Sequence, residues 1–90
     1  MKQQYWRFKA GIVIENKKSL LIIDTNSAEI FQVNTSAKHL IPLLATGSNL
    51  KDLASSLHHT FSINLGIAKQ DALALIHQLA RWNLIDAYDG

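Results

Sequence analysis

The residue types able to do chemistry are few in this sequence. It holds four histidines and seven carboxylates, and no cysteine. Without a thiol, disulfide staples, thiolate metal sites and cysteine nucleophiles are excluded. His58 and His59 are adjacent, and neighbours on a helix point about 100° apart, so they cannot share one metal ion from a regular helix. His39 and His77 are isolated, and no acidic residue stands at a ligand spacing from either. The only closely spaced carboxylates, Asp86 and Asp89, lie in the tail. There is no nucleophile motif and no glycine-rich phosphate loop. Surface histidines account for all four, and neither an enzyme, a metal nor a cofactor is expected.

What remains is a chain built to fold and to bind. Of its 90 residues 48% are apolar and 18% charged, which is too apolar for disorder and enough for one small core. One domain over residues 1–90 is expected. No apolar run approaches the ~20 residues that span a bilayer. The start, Met1 to Arg7, lacks the apolar stretch and small-residue cleavage site of a signal peptide, so a cytoplasmic protein with no membrane contact is expected. The net charge of +2 is weak, but Lys2, Arg7, Lys9, Lys17 and Lys18 crowd the first eighteen positions against Glu15 alone. Such lysines either discourage edge-to-edge pairing or await an acidic partner.

The first third of the chain reads as strands. Trp6, Phe8, Ala10, Ile12 and Ile14 alternate with Arg7, Lys9, Gly11 and Val13, the period of a strand with one buried face. A polar break at Asn16–Ser19 precedes Leu20 to Ile23, apolar on both faces and therefore central. Asp24 to Ser27 is a second turn, and Glu29 to Val33 a third strand. Two short turns in succession imply an antiparallel meander with the third strand at an edge.

Helices follow. Asn34 is a good N-cap for a helix carrying Ala37, Leu40, Ile41 and Leu44, which Pro42 must kink or shorten and Gly47 closes. Ser48–Asn49 opens a second helix with Leu50, Leu53, Ala54 and Leu57 on one face. A third runs from about Ile67 to Trp82. Asn83 tolerates the left-handed residue that ends it, Leu84–Ile85 pack back, and the tail from Asp86 to Gly90 frays. The fold class is α+β, a three-stranded antiparallel meander followed by three helices.

The third strand and third helix together suggest a binding groove. Edge strands are normally defended by charge, proline or a bulge. Ile30, Phe31, Gln32 and Val33 supply none of these, and only Glu29 is charged. On the helix, Ala68, Ala72, Leu75, Ile76, Leu79 and Trp82 form a core face, while Leu73 and Ala80 lie on its shoulder, bordered by Ile76 and opened by Lys69. An undefended edge beside an apolar helix flank suits addition of an extended peptide as a further strand. A homodimer, or the chain's own N-terminus, would cover the same edge.

These residues resemble a known family. Leu21-Ile22-Ile23-Asp24, a turn, and Ile30-Phe31-Gln32-Val33-Asn34-Thr35-Ser36-Ala37 look like the signature of PqqD-like proteins, the RiPP recognition elements. The likeness continues through Leu40-Ile41, Leu43-Leu44, Gly47, Leu50 to Ala54, Leu57, Phe61, Asp71-Ala72, Leu75-Ile76, Leu79 and Asn83-Leu84-Ile85. Pro42, and Asn83 in place of the usual glycine, depart from the pattern. The resemblance implies a winged-helix-like arrangement. It also implies non-catalytic binding of the leader segment of a ribosomally made precursor peptide, which is delivered to a separate maturation enzyme. The version here looks closest to the stand-alone proteins of split lasso-peptide systems, whose partner is a leader peptidase. A PqqD-type chaperone for a radical enzyme is the near alternative. By the same resemblance, Glu29, Ile30, Phe31, Gln32 and Val33 pair with the leader, while Lys69, Leu73, Ile76, His77 and Ala80 form the helix wall.

A winged-helix nucleic-acid binder is the rival of another class. The third helix carries only Lys69 and Arg81 as firm cations, with Asp71 between, too few for phosphate contacts, and no nucleic-acid partner is expected. A second rival is a plain oligomerisation domain, a homodimer formed through the outer face of the second strand.

Overall fold

A computed structural model of the chain describes residues 3–89, the Ser36 side chain excepted. Six strands and four helices follow one another as β1 (Gln4–Phe8), β2 (Ile12–Asn16), β3 (Leu20–Asp24), β4 (Glu29–Gln32), α1 (Thr35–Lys38), α2 (Ile41–Thr46), β5 (Ser48–Asn49), α3 (Leu50–Phe61), α4 (Leu65–Arg81) and β6 (Ile85–Asp89). The α+β class holds, and so does the antiparallel meander, as the sheet β2-β3-β4. A second small antiparallel sheet, ordered β5-β1-β6, was not expected.

That second sheet corrects two expectations. The first is the single strand from Trp6 to Ile14, which breaks at a turn in which the Ile12 N–H donates to the Lys9 carbonyl at 3.4 Å. Gly11 adopts a φ of 88°, a conformation open to glycine and strained for other residues. The Thr25 hydroxyl and N–H hold the Gly11 carbonyl at 2.6 and 3.0 Å. Alternation carries through the turn unbroken because glycine falls in an outward slot, so periodicity alone does not register it. The second correction concerns the tail. Residues from Asp86 to Asp89 do not fray but complete β6, which pairs with β1 from Phe8↔Ile85 to Gln4↔Asp89. Tyr5 stacks on Tyr88 at 5.7 Å, and the Arg7 guanidinium lies 4.9 Å from the Tyr88 ring centroid. These cross-strand aromatic contacts offset the ordering entropy of a short terminal strand. Gly90 lies outside the described residues.

Capping explains the helix boundaries. The Asn34 side chain accepts the Ala37 N–H at 2.8 Å, starting α1. Pro42 shortens the predicted first helix into two pieces and sits in the first turn of α2, where its missing N–H has no partner to lose. Asn49 and Asp52 bond reciprocally at the start of α3: the Asn49 side chain accepts the Asp52 N–H at 2.8 Å and donates to the Asp52 carboxylate at 3.2 Å. Asn49→Ala is expected to cost about 1–2 kcal/mol, read as a lower urea midpoint with an unchanged slope. The helix α4 starts two residues before the predicted Ile67, its Asn64 cap accepting the Gly66 N–H at 2.7 Å. At its other end Asn83 is left-handed with φ 60°, as expected. The Leu84 N–H then reaches the Leu79 carbonyl at 3.0 Å and the Asn83 N–H the Ala80 carbonyl at 2.9 Å, which turns the chain into β6.

The core lies between the meander and the helices. Leu20 and Ile22 face inward from β3, while Leu21 and Ile23 stay half-buried on its outer face. Leu44, Leu53, Leu57, Leu79 and Leu84 are fully buried beneath them. Each such leucine contributes about 1.5–3 kcal/mol of transfer free energy, and this burial is what holds α4 against the sheets.

Candidate peptide-binding cleft

Among the described residues the edge strand β4 pairs with β3 alone, in the register Leu21↔Gln32 to Asp24↔Glu29. The N-terminal strand, a candidate cover for its outer edge, is engaged elsewhere, between β5 and β6. Opposed residues of antiparallel strands share a face. Ile30 therefore joins Ile23 and Val13 on the outer surface of the meander, where it is 63% exposed. Phe31 faces inward beside Ile22 and meets Trp82, the residue that ends α4, with ring centroids 4.6 Å apart. This aromatic pair sets the spacing between strand and helix at one end.

From there the two elements leave an open cleft of about 420 Å³. One side is Gln32, Val33 and Asn34, at the end of β4 and beyond it. The floor is apolar, made by the buried Ala37, Leu40 and Leu57. The helix side is Asp71, Ala74, Leu75, Gln78 and Trp82. Unpaired backbone along one margin, an apolar floor, and a few polar groups at the rim together make a seat for an extended chain whose alternate side chains point down.

The sequence-derived site residues are divided by this geometry. Gln32 and Val33 line the cleft, Phe31 braces it through Trp82, and Glu29 and Ile30 continue its free margin. The residues Lys69, Leu73, Ile76, His77 and Ala80 are not among those lining it. Ile76 is 3% exposed and belongs to the core, whereas Lys69, Leu73, His77 and Ala80 are exposed. At about 100° per residue the two sets fall on opposite sides of the buried stripe. Apolar surplus singled out the Leu73 flank, but the helix turns its other, more polar flank toward β4. Nothing in the spacing distinguishes the two flanks; Trp82, at the boundary of the buried stripe on the cleft side, was the available signal.

Two of the histidines make ordinary structural contacts. His58 Nδ1 lies 2.6 Å from the Ile63 carbonyl, and His39 meets Phe61 edge-on. Among the described residues no three His, Cys, Asp or Glu side chains gather as metal ligands, and no helix is long and apolar enough to cross a membrane.

No family model matches the sequence, and no curated protein matches it. Two solved structures share its fold. A lasso peptide synthetase B1 complexed with the leader peptide superposes with a TM-score of 0.80 at 22% identity, over 90% of this chain and 96% of that one. TbiB1 in complex with the TbiA(β) leader peptide gives a TM-score of 0.80 at 12% identity, over 89% and 94%. Across nearly its whole length, this chain has the fold of those two leader-bound proteins.

Proposed function

We propose that this protein binds the leader segment of a ribosomally synthesised precursor peptide as an added strand on β4. It performs no chemistry on the peptide and delivers it to a separate maturation enzyme in the cytoplasm. A lasso-peptide leader peptidase is the favoured recipient, ahead of a radical peptide-modifying enzyme. The observation that carries this reading is a bare strand edge opening onto an apolar-floored cleft, in a fold shared with two proteins solved with leader peptides. The peptide contacts are assigned to the free margin from Glu29 to Val33 and to Asp71, Ala74, Gln78 and Trp82 on the helix. Main-chain bonds to the edge supply affinity that is insensitive to sequence, and the cleft selects the side chains that enter it.

Titrating the 15N-labelled protein with synthetic leader peptides of candidate lasso precursors tests this. Saturable amide shifts concentrated at Glu29 to Val33 and along Asp71 to Trp82 are expected. Shifts confined to the β5-β1-β6 sheet, or no saturable response to any leader, overturn it.

A further inference from the structure

The cleft between β4 and α4 carries a single formal charge among the described residues. Asp71 lines it, exposed, on the helix side, and no lysine, arginine or histidine does. The Asp71 carboxylate makes no ion pair among the described residues. Its neighbours one turn away on α4 are Ile67, Ala68, Ala74 and Leu75, none of them basic. Lys69 points about 160° away from it, toward the far flank, and Arg81 stands about 15 Å further along the helix. Glu29, the other charged residue assigned to the peptide, has the same sign. A chain of net charge +2 thus turns an acidic margin toward its peptide.

The surroundings of Asp71 suit a long cationic side chain. Ile67 lies one turn before it on the same flank, about 40° round the helix, and is 52% exposed. Side chains on a helix lean toward its N-terminus, which brings the carboxylate over Ile67. A lysine or arginine can lay its alkyl stem on Ile67 and put its charged head on Asp71. The position along the cleft is also defined. Trp82 closes one end against Phe31, and Asp71 stands about 16 Å back along α4. That is the length of about five residues of extended chain.

We infer that Asp71 is a specificity-determining residue, which takes a lysine or arginine side chain of the peptide bound along β4 and so sets the peptide's register. The inference rests on the strand-addition reading, because a strand on the free edge of β4 runs between Gln32–Asn34 and the helix side where Asp71 stands. The basic residue lies at the end of the cleft remote from Phe31, within about five positions of the apolar residue on the floor. Slippage by two residues keeps the same side chains facing down, so main-chain bonds alone do not prevent it; one charge at one end does. The net charge of the whole protein favours acidic peptides, so a preference for a base belongs to the cleft itself.

The test is a displayed library of random 16-residue peptides, flanked on both sides by uncharged segments. It is selected in parallel on the wild-type protein, on Asp71→Asn and on Asp71→Lys. The wild-type pool is expected to share an apolar anchor with Lys or Arg at a fixed offset. The Asp71→Asn pool keeps the anchor and loses the base, and the Asp71→Lys pool carries Asp or Glu at the same offset. Asparagine matches aspartate in size and shape, so the first comparison holds whatever the lysine variant does to the fold. For one selected peptide, changing the base to glutamate weakens binding to the wild type about fivefold at low salt, in the range of an exposed charge contact, and strengthens binding to Asp71→Lys. An anchor without a fixed base, or a base retained by Asp71→Asn, overturns the role of Asp71. Strand addition then still stands if the selected peptide shifts the amides of Glu29 to Val33. A pool with no common anchor overturns both.

Discussion

Placing arginine at Ala74 is expected to weaken peptide binding strongly with the fold intact. Ala74 is exposed and lines the helix side of the cleft. A long, planar side chain there fills the space between α4 and β4 that an added strand must occupy. Alanine and arginine differ little in helix propensity, and a surface substitution of this kind changes stability by about 0.5 kcal/mol or less. Leader affinity is expected to fall at least tenfold, a change of about 1.4 kcal/mol or more, with thermal denaturation hardly shifted. The companion variant is Leu73→Asp, one residue along and 37% exposed on the flank turned away from the cleft. It introduces a charge into an apolar setting, yet calorimetric titration is expected to show affinity within twofold of wild type. If Leu73→Asp weakens binding as much as Ala74→Arg, the peptide does not sit in the cleft described here.

A comparably large effect, this time on stability, is expected from Gly47→Ala. Gly47 ends α2 with φ 98° and ψ 132°, a region that residues with a Cβ occupy at a cost of about 1–3 kcal/mol. A methyl group there also collides with the Tyr88 hydroxyl, so the Tyr88 side chain must move aside. The combined loss is expected to be about 2–4 kcal/mol, a large share of the roughly 5–13 kcal/mol available to a chain of this length. Urea denaturation reads it directly. Adding Tyr88→Phe separates the two causes. With the hydroxyl gone, the nearest remaining ring atom, Cζ, would stand 3.3 Å from the new methyl, so part of the loss should return. No recovery would place the whole cost in the backbone.

Much of this architecture was legible because local rules and tertiary packing agree. The αL residue at Asn83, the cap at Asn34 and the interruption at Pro42 each follow from backbone chemistry that no neighbour overrides. The inward set of α4 is equally local in origin, since Ala68, Ala72, Leu75, Ile76 and Leu79 repeat at the helical period and all are buried. The misread segments share the opposite property. The turn at Gly11 is held by Thr25 and Asn26, fourteen and sixteen residues from the groups they bond. The tail becomes β6 only because β1, over seventy residues earlier, offers it a partner.

The sequence by itself determined the α+β class, the meander with β4 at its margin, and the amphipathic helix beside it, because periodicity, turn residues and caps act over a few positions. Only the tertiary structure decided which flank of α4 faces β4, and that Thr25 and Asn26 close the turn at Gly11. Both depend on how a helix is rotated and a turn is folded over distant chain. Periodicity defines the centre of a buried stripe but is symmetric about it, so the choice of side is made by packing.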